Sequence, residues 1–74
     1  MFNKLTADQR EVLANELTWA RQRVQATRDG WQEGADTRWA LKLYDDATAA
    51  AYRTSRDYSE LAMDLGELIA ELAS

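Results

Sequence analysis

The chain has 74 residues and a net charge of −4, and it contains neither cysteine nor histidine. Without cysteine it can form no disulfide and no thiolate metal site. Without histidine it lacks the commonest transition-metal ligand and the usual general base. A chain this short buries only about 60% of its unfolded surface. We therefore expect one small domain over residues 1–74, reinforced by a second subunit or by docking on a larger protein.

The composition predicts an all-α fold. Proline is absent, 46% of the residues are hydrophobic, and alanine and leucine are abundant, a combination that favours helix nearly throughout. No apolar stretch approaches the roughly 20 residues that span a bilayer, and the opening MFNKLTADQR contains no apolar segment of signal-peptide length. We expect a cytoplasmic protein with no membrane contact and no cofactor.

The first helix is predicted from about residue 7 to about residue 29. Thr6 and Gln9 have the spacing of a capping box, and Gly30 suits the left-handed position just after a helix end. Between them, side chains at alternating spacings of four and three indicate one buried side of a helix. These residues are Leu13, Leu17, Ala20, Val24, Thr27 and Trp31.

A second stripe on this helix predicts a further covering surface. Val12, Trp19 and Ala26, which we call the Trp19 stripe, recur every seven residues. They lie more than about 100° around the helix from the first set. A tryptophan in this position needs cover of its own, so we expect a third helix or a second subunit there.

The second helix is predicted to begin after Gly34, with Asp36 or Thr37 as its cap. The same spacing then continues to the end of the chain. Its members are Leu41, Tyr44, Thr48, Ala51, Ser55, Tyr58, Ala62, Leu65, Ile69 and Leu72.

Two architectures fit this pattern: a three-helix bundle over about 7–29, 37–54 and 58–73, or a hairpin with a short first helix and a long second one. Asp57 and Glu60 could cap a third helix. However, the spacing is unbroken across residues 54–58, which favours a single second helix of about 55 Å packed beside a first helix of about 35 Å. The overhang of the longer helix then favours a homodimeric bundle. The predicted core and dimer contacts are Val12, Leu13, Leu17, Trp19, Ala20, Val24, Leu41, Tyr44, Ala51, Tyr58, Leu61, Leu65, Leu68, Ile69 and Leu72.

The acidity of the chain is concentrated near its end. Residues 57–74 carry five carboxylates and no Lys or Arg, whereas residues 1–56 carry nine basic and eight acidic side chains. On a helix the five would share about 80° of arc beside a leucine stripe. Three interpretations remain open: a solvated face, pairing with Arg10, Arg21 and Arg28, or docking on a basic target. We call these five the acidic row: Asp57, Glu60, Asp64, Glu67 and Glu71.

The segment DGWQEGADTRW, residues 29–39, contains Trp31 and Trp39. Tryptophans beside glycines could anchor a partner, or they could cap a corner between two helices. Two helices joined by a Trp–Gly turn in a small cysteine-free chain resemble the WXG100 family of secreted helical hairpins. Here two residues separate Trp31 from Gly34 where that family has one, and Tyr58 is followed four residues later by Ala62 instead of an acidic residue. The resemblance therefore extends only to the hairpin architecture.

The pattern as a whole favours a non-enzymatic interaction protein, a small acidic regulator or inhibitor that binds a larger protein. Asp45 and Asp46 would point about 100° apart on a helix and could not converge on a substrate. No face of the predicted helices carries a basic stripe, so we do not expect direct nucleic-acid binding. The alternatives are a structural subunit that acts by homo-oligomerisation, or an acidic nucleic-acid mimic that blocks a basic groove.

Overall fold

The protein is a single helical hairpin in the computed structural model, which describes residues 2–74. Helix α1 spans Ala7–Ala40 and helix α2 spans Asp46–Ala73. The two run antiparallel along a rod of 53 × 17 × 14 Å. The all-α prediction is confirmed, and α2 continues without a break through residues 54–58, so the three-helix alternative is wrong. Within residues 2–74, neither helix has a stretch apolar and long enough to cross a bilayer.

Helix α1 begins where the capping box predicts. The Thr6 hydroxyl accepts a hydrogen bond from the Gln9 backbone N–H at 3.1 Å, and the Gln9 side-chain oxygen accepts one from the Thr6 N–H at 2.9 Å. Asp8 lies in the first turn, where a negative charge interacts favourably with the helix dipole. Two backbone donors that a helix start leaves unpaired are thereby satisfied.

The predicted helix end at Gly30 is wrong. Both Gly30 and Gly34 lie inside α1 with negative φ, and the helix continues to Ala40. A glycine inside a helix costs only about 0.5–1 kcal/mol relative to alanine. Ending the helix at Gly30 would lose the contacts of its last ten residues with α2, among them the buried Ala35 and the Arg38–Thr48 hydrogen bond, and these outweigh that cost. The expected short first and long second helix is therefore corrected: α1 has 34 residues and α2 has 28.

The reversal of the chain lies instead at residues 41–45. The N–H groups of Lys42 and Leu43 donate to the carbonyls of Trp39 and Arg38, both at 2.9 Å. This is the pairing of a Schellman motif, in which Lys42 occupies the left-handed position at φ 61° that glycine usually takes. Asp45 then caps α2, because its carboxylate accepts the Thr48 N–H at 3.0 Å.

This placement of the turn predicts the effect of adding a methyl group at the two glycines of α1. We expect Gly30→Ala and Gly34→Ala each to raise the free energy of unfolding by about 0.5–1 kcal/mol, because alanine is the better helix former. A Cβ at either position meets nothing within 4 Å. Urea titration measures the change. A loss of stability at Gly30 would instead indicate a left-handed turn there.

The face of α2 that packs against α1 consists mainly of small side chains. On α1, Ala35 is fully buried (0% exposed). Leu72 of α2 (5% exposed) is the one large apolar side chain buried among the described residues. The predicted spacing on α2 coincides with this face from residue 48 onward. Its buried members are Thr48, Ala51, Ser55, Ala62 and Leu72, and its half-buried members are Tyr58, Leu65 and Ile69.

Arginines occupy much of the α1 side of this contact. The Arg21 Nε donates to the carbonyl oxygen of Ala62 on α2 at 3.0 Å, and the Arg38 Nε donates to the Thr48 hydroxyl at 3.0 Å. Gly66 leaves the space for the Arg21 guanidinium, since a Cβ there would lie 3.3 Å from Arg21 Cζ. Leu13, Leu17, Ala20 and Val24 are half-buried beside these arginines, whereas Thr27 and Trp31 are exposed.

The hairpin leaves an unusually large surface uncovered for its mass. Its accessible area is 5588 Å², whereas a compact monomer of this size exposes about 4,600 Å². Leu41 and Tyr44, expected in the second helix, lie in the turn instead and are exposed. Val12, Trp19 and Leu61 are exposed as well, so in a single chain they form no core.

Candidate protein-binding surfaces

The acidic row forms a continuous exposed line on α2. Each of its five carboxylates lies three or four residues from the next, so the row occupies one side of the helix, and all five residues are exposed. The ion pairs formed within residues 2–74 are Arg28 with Asp29 and Arg38 with Asp45, both at 2.8 Å. None of the row is among them, so its charges are directed to solvent.

The arginines that could have neutralised the row have other partners in the chain. Arg10 Nε donates to the Phe2 carbonyl at 3.1 Å, Arg21 bonds to the backbone of α2, and Arg28 pairs with its neighbour Asp29. Pairing of these arginines with the acidic row is therefore not seen within the single chain.

A leucine edge accompanies the acidic row along α2. Leu61 is 44% exposed, Leu65 and Leu68 are half-buried, and Leu72 is buried against α1. The row and this edge together form a surface that is anionic on one side and apolar on the other. A complementary surface would be basic and apolar.

The Trp19 stripe lies on α1, on the side facing away from α2. Val12 is 61% exposed and Trp19 is 63% exposed, while Leu17, Arg21 and Val24 on the opposite side are partly covered by α2. This second apolar surface is separate from the acidic row, because the two occupy different helices.

The turn carries a cluster of exposed aromatic side chains. The rings of Trp39 and Tyr44 meet edge to face with centroids 4.5 Å apart. The Tyr52 hydroxyl donates to Asp36 at 2.7 Å, and this bond raises the pKa of Tyr52. Trp31 lies about two turns before Trp39 in α1, so the structure does not bring the two tryptophans together at one corner. Tyr52 could not be predicted as a member of this cluster, because its position there depends on where the turn lies.

The adjacent aspartates Asp45 and Asp46 both lie at the start of α2. The hydrogen bond from the Thr48 N–H, together with the Arg38 side chain, lowers the pKa of Asp45 to about 2. Asp46 lies in the first turn of α2. A carboxylate held by a backbone amide and a guanidinium in this way stabilises a helix start. Within residues 2–74 no three or more carboxylates come together as a metal site would require.

Comparison with known proteins gives no family for this chain: no protein-family model, no curated protein and no solved structure matches it.

Proposed function

We propose that this chain is a non-enzymatic interaction module, a small acidic regulator that binds a larger protein through α2. The observation that carries the proposal is the acidic row, five exposed carboxylates that form no ion pair with residues 2–74, beside the partly exposed Leu61. Like charges three and four residues apart cost a helix a few tenths of a kcal/mol per pair. A basic partner would turn this repulsion into attraction.

The chemistry of this surface defines the class of target. Opposite charge accelerates association and selects against acidic surfaces, and burial of leucine supplies affinity. The target is thus a protein with lysines or arginines next to an apolar groove or helix. We include a cytoplasmic location in the proposal, because the chain has no cysteine to suit an oxidising compartment.

The test compares two double variants that change charge equally. In the first, Glu60→Gln and Glu67→Gln remove two charges from the acidic row; in the second, Glu11→Gln and Glu33→Gln remove two exposed charges from α1. Each tagged protein is used to capture partners from extract of the source cells. We expect the wild type and the α1 variant to retain the same target, and the row variant to lose it.

Salt dependence separates docking by the acidic row from other modes of capture. With the purified target, the row variant should associate more slowly than the wild type, and its association rate should depend less on ionic strength. Its melting temperature should hold or rise slightly, because self-repulsion along α2 falls. Equal capture and equal salt dependence for both double variants would refute the proposal.

A second candidate function is supported by the exposed side of α1. There the Trp19 stripe favours a structural subunit that acts through self-association.

A further inference from the structure

We propose that the Trp19 stripe is a self-association surface, on which two copies of the chain pair antiparallel about a two-fold axis at Trp19. The stripe faces away from α2, and its two large members are each more than half exposed. This proposal rests on the second candidate function, self-association, and is independent of target binding by the acidic row, which the stripe does not include.

Charges around Trp19 match an antiparallel copy. Glu16 lies three residues before Trp19 and Arg23 four residues after it, and both are exposed. With a two-fold axis at Trp19, Glu16 of each copy lies opposite Arg23 of the other, so one operation forms two opposite-charge pairs. A parallel arrangement would put the Glu16 and Arg23 side chains of the two copies on opposite flanks of the interface, so neither opposite-charge pair would form.

Side-chain size shows the same self-complementarity. Val12 and Ala26 lie seven residues before and after Trp19, respectively. The two-fold operation therefore sets the larger Val12 of one copy against the smaller Ala26 of the other. Large side chains opposite small ones let two helices pack closely at the ends of the stripe, while the two Trp19 rings meet at its centre.

The hairpin as a whole leaves enough area uncovered for an interface of ordinary size. The chain exposes about 1,000 Å² more than a compact monomer of its mass. A stable protein interface buries about 800 Å² on each partner. This excess is spread over the whole rod, so an interface on this face would take in the exposed side chains that flank the stripe, among them Glu16 and Arg23, while α2 with its acidic row stays free on the other side of each hairpin.

Sedimentation equilibrium at micromolar concentration tests the proposal with the full chain. We expect the wild type to have about twice the monomer mass of 8.4 kDa, and Trp19→Ala to be largely monomeric at the same concentration. Because Trp19 is exposed in the single hairpin, the helix content of the variant should be unchanged by circular dichroism. A wild type that is monomeric, or a Trp19→Ala variant that remains dimeric, overturns the proposal.

Charge exchange tests the antiparallel geometry itself. Glu16→Arg alone and Arg23→Glu alone should each raise the dimer dissociation constant about ten-fold, since two attractive pairs become repulsive. The double variant should restore dimerisation, because each pair is re-formed with its charges reversed. Failure of the double variant to recover excludes this arrangement.

The row variant Glu60→Gln/Glu67→Gln serves as the control that separates the two proposals. It should dimerise as the wild type does, whatever its effect on target binding. If it became monomeric, the copies would be meeting through α2, and the assignment to the Trp19 stripe would be wrong.

Discussion

Replacement of Leu72 by alanine is expected to lower the free energy of unfolding by about 2–5 kcal/mol, the usual loss for a buried leucine. Leu72 is 5% exposed and is the only large hydrophobic side chain buried among residues 2–74. A folded chain of this length has a total stability of only about 4–11 kcal/mol. One truncation near the end of α2 should therefore remove a large part of the chain's stability.

Leu61→Ala is the matched control for this loss. It makes the same chemical change on the same helix, but Leu61 is 44% exposed, so much less buried area and no comparable cavity are lost. Chemical denaturation monitored by circular dichroism should show a clear shift for Leu72→Ala and a small one for Leu61→Ala. Equal shifts would mean that Leu72 is not packed between the helices as described.

Enlargement of Ala51 to leucine is expected to destabilise the hairpin by about 1–3 kcal/mol through overpacking. Ala51 is 7% exposed, and the face around it consists of other small side chains. On α2 this face has only the small side chains of Thr48, Ala51 and Ser55, and Ala35 of α1 is fully buried, which leaves little space for a larger group. A leucine at this position must push α1 away or adopt a strained rotamer, and the hydrogen bonds of Arg38 and Thr48 lie only one helical turn from it.

Ala50→Leu provides the comparison for this enlargement. Ala50 precedes Ala51 in α2 and is exposed, so the added atoms point into solvent. Its melting temperature should stay close to that of the wild type, while that of Ala51→Leu falls. If both variants melted alike, the close approach of the helices at Ala51 would be disproved.

The parts of the fold that follow from local chemistry could be predicted from the sequence. The Thr6–Gln9 capping box identifies the start of α1, because both of its hydrogen bonds form between residues three apart. The continuous spacing through residues 54–58 predicts the uninterrupted α2 for a similar reason. A helix keeps its phase as long as nothing in the sequence breaks it.

The position of the turn could not be predicted from glycine alone. Gly30 and Gly34 resemble a helix stop, but the pairing of the rest of α1 with α2 outweighs their modest cost. The actual stop has a lysine in the left-handed position, and lysine gives no warning of it. The aspartate cap at Asp45, three residues before Thr48, was the available signal.

The sequence spacing predicts which residues share a surface, but it does not predict which side chains contact them. The acidic row follows from helical spacing, and all five of its residues are exposed in the structure. The spacing does not predict that Arg21 crosses the helix contact and donates to a main-chain carbonyl. A long arginine side chain can either lie along an apolar surface or extend away from it.

The contact between Arg21 and Gly66 also constrains how this sequence can vary. The two positions are far apart in the chain, yet an alanine at 66 would place its Cβ 3.3 Å from the Arg21 guanidinium carbon, so the guanidinium, which bonds to the Ala62 carbonyl, would have to shift by a few tenths of an ångström. We expect the two positions to change together: descendants of this sequence that replace the glycine should carry a shorter side chain at 21. Substitutions at these two positions should therefore be correlated among homologues, linking α1 to α2.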